Sequence, residues 1–207
     1  MPRRKIARKY NTMRSRPWLA ALAATAVLAA ANPALAQDAK PGATLLKEAS
    51  ALLREGDLPG ALERADKALA ANPGDPDARF VRGVVLAELK RTPEAVAMFT
   101  LLTQDFPEMA EPYNNLAVIY AAQGEYDRAR YALEQALRAN PAYSTAYENL
   151  GDVYVALAIE AYQKSLGLDA RNNPVKAKLV VAREIAPAGA RVKRPDPLPA
   201  TPAKPAR

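Results

Sequence analysis

A spacing of 34 residues recurs along this chain, and it limits the possible folds more than any other feature of the sequence. Three prolines keep this interval, at Pro73, Pro107 and Pro141. Small residues keep it too, at Ala49, Gly83, Ala117 and Gly151. A fixed period of this length is typical of stacked helical hairpins, in which each hairpin buries apolar surface against the next.

Within one period the apolar residues follow helical spacing. In the period 110–143, one face of a first helix carries Tyr113, Leu116, Ala117 and Tyr120. Gly124 then permits a left-handed turn, since glycine has no Cβ to clash. The same apolar spacing returns in a second helix at Ala129, Leu133, Ala136 and Leu137. Each period is therefore predicted to form two helices joined by a short turn.

The repeated segments resemble the tetratricopeptide repeat family. EPYNNLAVIYAAQGEYDRARYALEQALRANP, at 111–141, matches the family pattern at nearly every signature position. PDARFVRGVVLAELKRTPEAVAMFTLLTQDFP, at 76–107, matches with Lys90 where glycine is usual, and 42–73 matches more loosely. The resemblance implies an all-α fold, a right-handed superhelical stack of helix-turn-helix repeats. Its repeats would be 42–75, 76–109, 110–143 and a shortened 144–170.

The fourth repeat lacks the residues of its turn. Asn115 to Leu133 is 18 residues, whereas the corresponding interval from Asn149 to Tyr162 is 13. Because 153–164 contains no Gly, Pro, Asn, Asp or Ser, the pattern favours one fused helix ending near Gly167 over a tight turn near Ala158. The apolar face predicted for that helix comprises Tyr147, Leu150, Tyr154, Leu157, Ala161 and Leu168.

A further amphipathic helix is predicted at 174–186. Its apolar residues are Val175, Leu179, Val180 and Ile185. This helix can fold back as a cap that seals the repeat stack. The alternative is a protruding hairpin through which the chain forms a homo-oligomer.

The first 36 residues read as a secretory signal peptide. Basic residues precede the uncharged run 19–31, and Ala34-Leu35-Ala36 provides a cleavage site; Met13 is an alternative start. Removing this leader, with its seven Lys and Arg, leaves 22 basic and 22 acidic residues. The overall charge of +7 therefore does not indicate nucleic-acid binding, and no stable membrane span is expected after cleavage. The sequence predicts a periplasmic or secreted protein, with a Gram-negative bacterial envelope favoured.

The residue types that usually carry chemistry are missing. The chain has no Cys and no His, which removes cysteine nucleophiles, Ser-His-Asp triads and zinc or haem sites that need those ligands. The carboxylates are spread at the spacing of charged helix faces, and no glycine-rich phosphate loop is present. We expect no enzymatic activity, no cofactor and no metal.

The resemblance also implies a concave groove that holds an extended segment of a partner protein or peptide. Carried over to this sequence, the groove residues are Leu46, Leu53, Phe80, Val84, Glu111, Asn114, Asn115, Val118, Glu148, Asn149 and Asp152. The amides of Asn115 and Asn149 would face the ligand backbone. Along the sequence, the first of these groove residues are apolar and the last are acidic. This order favours a ligand with apolar residues at one end and basic residues at the other. Alternatively, Leu46 and Phe80 only pack against neighbouring repeats.

The segment 187–207 carries six prolines, five basic residues and one acidic residue. It is predicted to be an extended, disordered tail. Three alternative roles follow for it: solubilising the protein, contacting an anionic surface, or folding back to compete for the groove. The sequence thus predicts an exported adaptor of the cell envelope. The alternative is a structural tether that acts through the capped end or the tail.

Overall fold

The computed structural model describes residues 41–186, and within this range the chain is entirely helical and loop. Its helices are α1 (Pro41–Glu55), α2 (Leu58–Ala71), α3 (Pro76–Glu88), α4 (Thr92–Asp105), α5 (Ala110–Ala122), α6 (Tyr126–Ala139), α7 (Ser144–Leu168) and α8 (Asn173–Ile185). The prediction of an all-α fold of helical hairpins is confirmed over this range. The proposed signal peptide at 1–36 and the tail at 187–207 lie outside the described residues.

The chain divides into two compact units between Asp75 and Pro76. In the first unit, α1 packs against α2 as a hairpin. The Asp57 side chain caps α2 by accepting a hydrogen bond of 3.0 Å from the Gly60 backbone N–H, which satisfies a donor that the helix leaves unpaired. Small side chains fill the buried positions, at Ala49, Ala61, Ala65 and Ala68. Because alanine is short, the two backbones can approach closely.

The second unit contains α3 to α8. Here α3 pairs with α4, α5 pairs with α6, and successive hairpins contact one another. Its largest fully buried side chains include Leu86, Phe99, Leu102, Leu133 and Ile159. The first helices of the hairpins also contact each other directly, α3 with α5 and α5 with α7. This places one face from each of α3, α5 and α7 in a row, which is where the groove is expected.

The turns within the hairpins share one backbone feature. Gly56, Lys90 and Gly124, spaced by 34 residues, have φ angles of 86°, 61° and 78°. The turn requires a left-handed residue, so Lys90 adopts that conformation even though its Cβ makes it unfavourable by about 1 kcal/mol. The next position in this series, Ala158, lies inside α7. The fourth repeat lacks the residues that form this turn in the other repeats, so its two helices continue as one.

The helix α7 runs unbroken over 25 residues, so the fused-helix prediction is confirmed. It ends at Leu168 with Asp169 as its C-cap, rather than at Gly167. The predicted apolar face is wrong: Tyr147, Tyr154 and Leu168 are exposed by 55%, 50% and 87%, and Ala161 is also exposed. The buried residues are instead Ala146, Val153, Ala156 and Ile159. Both sets keep helical spacing, but the smaller side chains of the buried set allow the helices to pack more closely.

The helix α8 packs against α7. Its contact is a small core of Ile159, Leu179 and Ala182. Of the residues predicted to form its apolar face, Leu179 is buried, whereas Val180 and Ile185 are mostly exposed. The Asn172 side chain starts α8 by accepting a hydrogen bond of 3.2 Å from the Val175 backbone N–H. Among residues 41–186, no helix is both long enough and apolar enough to cross a membrane.

Candidate protein-binding groove

A hydrogen bond between two asparagines joins the groove faces of α5 and α7. The Asn149 side-chain N–H donates to the Asn114 side-chain oxygen at 2.8 Å, across 35 residues of sequence. Asn114, which was predicted to line the groove, is only 5% exposed, so like Leu53, which is 3% exposed, it offers a ligand too little accessible surface. Burying a carboxamide is unfavourable unless it is hydrogen-bonded, so this pair favours one register between the two helices.

The amides predicted to face a ligand already have partners in the protein. Asn115 donates to the Glu111 carbonyl of its own helix at 2.9 Å, and Asn149 donates to Asn114. A carboxamide has a second N–H and a carbonyl oxygen, so each keeps some capacity for a further hydrogen bond. In the structure the Asn149 side chain joins α7 to α5, a contact that the sequence-based assignment did not include.

The apolar residues predicted for the groove occur in both units. Leu46 lies on α1 and is half-buried, whereas Leu53 is 3% exposed and is thus a core residue. The prediction that Leu53 lines a ligand site is therefore wrong for this structure, since too little of its side chain is accessible. In the second unit, Phe80 and Val84 lie half-buried on α3. The Phe80 ring is tilted against the Phe99 ring, with 5.9 Å between centroids, so Phe80 already packs on its own hairpin.

The acidic end lies on α7. Glu148 is exposed and Asp152, one turn further on, is half-buried. Burial, and then the nearby charge of Glu148, raise the pKa of the Asp152 carboxyl above its usual value. Neither carboxylate forms an ion pair with another described residue. A cation bound here would offset both effects.

The remaining predicted residues, Glu111 and Val118, are half-buried on α5. Beside Glu111 lies Tyr143, a residue that the sequence analysis did not select. Its hydroxyl is buried and has no hydrogen-bond partner among the described residues. Burial, followed by the charge of Glu111, raises the pKa of Tyr143 to about 12. Tyr143 lies in the linker before α7, where the repeat pattern gives no signal for such a contact.

Two further concave surfaces lie in the second unit. One, of about 510 Å³, lies between α7 and α8 and is lined by residues that include Tyr154, Val155, Tyr162, Val181 and Ile185. The other, of about 450 Å³, is formed by α4, α5 and α6 and is lined by residues that include Thr103, Tyr113, Leu116, Tyr120, Arg128 and Tyr131. The sequence analysis assigned five of these residues to helix packing: Tyr113, Leu116, Tyr120, Tyr154 and Ile185. Over the described range, no group of acidic side chains is arranged to hold a metal ion.

The repeats match known protein families and folds. Residues 46–110 match the family described as "Tetratricopeptide repeat", and residues 118–157 match that described as "TPR repeat". The chain is 28% identical over 155 residues to human tetratricopeptide repeat protein 16, covering 67% of this chain and 18% of that protein. It is 30% identical over 108 residues to the chloroplastic tetratricopeptide repeat domain-containing protein PYG7 of Arabidopsis thaliana, covering 48% of this chain and 36% of that protein. The chain therefore spans well under half of the length of these relatives.

A solved structure shows the same fold. The first TPR of Spaghetti (RPAP3), bound to the HSP90 peptide SRMEEVD, superimposes with a TM-score of 0.54 at 20% identity. The match covers 58% of this chain and 96% of that domain. From the periodic sequence, the paired helices and these matches, we conclude that the chain belongs to the tetratricopeptide repeat family.

Proposed function

We propose that this protein is a non-enzymatic adaptor that binds an extended segment of a partner protein on the row formed by α3, α5 and α7. The observation that carries the proposal is the hydrogen bond of 2.8 Å between Asn149 and Asn114. It fixes two neighbouring groove faces in register, and a binding surface for an extended chain needs such pre-organisation to limit the entropic cost of binding.

The charge of the surface indicates the kind of segment. Glu148 and Asp152 have no cationic partner among the described residues, so a basic residue of the ligand would relieve their repulsion. The peptide held by the RPAP3 domain is instead acidic at its end. The resemblance to the family implies that a basic clamp for such an end would need basic residues in place of Leu46, Ser50 and Val81. We therefore propose a ligand that is apolar at one end and basic at the other.

A charge-reversal pair tests this proposal. Peptides selected from a displayed library on the full-length protein should carry Lys or Arg at one end. Asp152→Lys should weaken their binding by roughly tenfold, or about 1.4 kcal/mol. Glu94→Lys is the matched control: it makes the same charge change on α4, at an exposed residue whose partner is Arg91. Equal affinities of the two variants for the selected peptides would refute binding at the acidic end of the row.

We also propose that the protein is exported and acts in the envelope of a Gram-negative bacterium. The order of basic residues, uncharged run and small residues in 1–36 supports this. Expression of the full gene should yield a protein whose first residue is Gln37, recovered in the periplasmic fraction or in the medium. A cytoplasmic product that retains its leader would contradict export.

Self-association at the end of the repeats is a second candidate function. It is favoured by the groove of about 510 Å³ between α7 and α8, whose walls include Tyr154, Tyr162 and Val181. Exposed apolar surface of this kind often marks a contact between proteins. Val181 is 57% exposed, so Val181→Asp should leave the fold intact and dissociate any dimer. Sedimentation that shows only monomer at high concentration would exclude this candidate.

A further inference from the structure

The groove between α4, α5 and α6 has walls rich in aromatic residues. We call it the tyrosine groove and define it by Tyr113, Tyr120 and Tyr131, with Leu116 at its buried base. Its volume is about 450 Å³. Tyr113 and Tyr120 each lie two residues, or about 200° around the helix, from Glu111 and Val118. The tyrosine groove is therefore on the side of α5 opposite to the proposed adaptor surface.

Contacts within the protein hold two of the three tyrosines in place. The Tyr113 hydroxyl donates to the Thr103 carbonyl of α4 at 3.1 Å. The Arg128 guanidinium lies over the Tyr120 ring, 3.9 Å from its centroid, and it is held there by Glu125. The third, Tyr131, is 64% exposed although it borders the groove. A fixed aromatic wall facing an exposed tyrosine forms a surface on which a flat or ring-shaped apolar group can stack.

Proline-rich segments are the ligands that such surfaces suit best. A polyproline II helix docks into aromatic-lined grooves, and it loses little conformational entropy because proline already fixes its backbone. The chain supplies a segment of this kind outside the described residues: Pro199, Pro202 and Pro205 are spaced by three. Since this helix has three residues per turn, the three rings would lie along one edge, about 9 Å apart.

Charge agrees with this pairing. The segment 187–207 carries five basic residues and one acidic residue. Two of the basic residues, Lys204 and Arg207, flank the last proline. On the rim of the tyrosine groove lies Asp127, which accepts a hydrogen bond of 3.1 Å from Arg130 and whose side chain is nevertheless 80% exposed. A basic residue beside the docked prolines would therefore approach a solvent-accessible carboxylate.

The segment is long enough to reach the groove. The groove is walled by α6, and α8 packs on α7, which packs on α6. The distance from α8 to α6 across the bundle is two interhelix distances of about 8–10 Å each. Combined at right angles with an offset of one helix length, about 21 Å, this gives a separation of about 29 Å between the end of α8 and the groove. The 12 residues 187–198 span about 37 Å in the polyproline II conformation. Because the segment is tethered, its effective concentration is in the millimolar range, so a weak contact suffices.

We propose that residues 195–207 dock as a polyproline II helix in the tyrosine groove of the same molecule. The docked segment covers exposed aromatic surface and leaves the row of α3, α5 and α7 open. This differs from the sequence-based hypothesis that the tail competes for the adaptor surface. It also does not depend on the proposed adaptor function.

The absence of cysteine permits a clean test. In the full chain, Thr100→Cys places a thiol on the groove wall and Ala203→Cys places one among the prolines. We expect an intramolecular disulfide to form at least tenfold faster than in the same double mutant with Pro199, Pro202 and Pro205 replaced by alanine, which keeps the length and charge of the tail. The rate is measured by mass spectrometry after acid quenching.

Two tyrosine variants identify the site. Tyr131→Ala should slow disulfide formation by a similar factor, because it removes the exposed ring of the groove. Tyr147→Ala, at an equally solvent-exposed tyrosine of α7 with 55% exposure, should leave the rate unchanged. Equal rates in all variants, or disulfide-linked dimers in place of monomers, would overturn the proposal. Circular dichroism confirms that each variant keeps its helix content, so a loss of folding is not read as a loss of docking.

Discussion

Replacing Gly83 and Gly151 by alanine should change stability in opposite directions. The two glycines are two periods apart and occupy the same position of their repeats. A Cβ on Gly83 would lie 2.7 Å from Cε1 of the Phe99 ring, whereas a Cβ on Gly151 would meet nothing within 4 Å. Phe99 is fully buried and also packs against Phe80, so its ring cannot move aside freely.

The magnitude follows from two terms. Alanine in a helix is about 1 kcal/mol more favourable than glycine, and this gain applies equally at both positions. Overpacking a closely packed core costs about 1–3 kcal/mol, and this cost applies only at Gly83. We therefore expect Gly151→Ala to stabilise the protein by about 1 kcal/mol. Gly83→Ala should destabilise it by up to about 2 kcal/mol. The difference between the variants isolates the contact with Phe99.

Urea unfolding of the full chain, followed by circular dichroism, measures this difference. One kcal/mol corresponds to about 0.3–1 M in the midpoint, so the two variants should bracket the wild-type protein. Their common change in helix propensity serves as the internal control. If both variants shift the midpoint in the same direction by the same amount, the close approach of Gly83 and Phe99 does not limit this position, and the packing argument fails.

Three further substitutions test the second unit. Asp152→Asn should raise the free energy of unfolding at pH 7, because the folded state raises the pKa of Asp152 and so disfavours its ionised form. This gain should disappear near pH 3, because the carboxyl is then protonated in both the folded and the unfolded state. Tyr143→Phe should stabilise the protein by about 1 kcal/mol in urea unfolding, since it removes a buried hydroxyl that has no partner among the described residues. Ile159→Ala should cost about 2–5 kcal/mol and speed hydrogen exchange in α8, because Ile159 packs against Leu179. Unchanged exchange in α8 would show that this contact does not hold the helix.

The period of the sequence was sufficient to predict the hairpins, because every turn needs a left-handed residue and every first helix needs a small one. Gly56 and Gly124 meet the first need without strain, and Lys90 meets it by adopting an unfavourable φ of 61°. The same reasoning predicted the fused α7, since the stretch 153–164 holds no residue that favours a turn. These features depend on local backbone chemistry, which is readable along the chain.

The burial of particular side chains was less predictable, because it depends on which helices meet. The spacing along α7 fits two faces equally well, and only contact with α6 and α8 selects the face of Val153 and Ile159. Leu53 was predicted to line the groove, yet it is buried. The tyrosine groove was missed for a similar reason: its walls come from three helices, and no single periodic pattern brings Tyr113, Tyr120 and Tyr131 together.

The long α7 explains why the repeats are closed by α8. In a complete repeat the second helix would return along the first, but the absence of a turn at Ala158 sends the chain onward in the same direction. The helix α7 packs against α6, and its Ile159 is covered by Leu179 and Ala182 of α8. Without α8 this apolar surface would face water. Covering Ile159 and its neighbours is therefore the physical role of α8, and inserting a glycine-containing turn near Ala158 should remove that role.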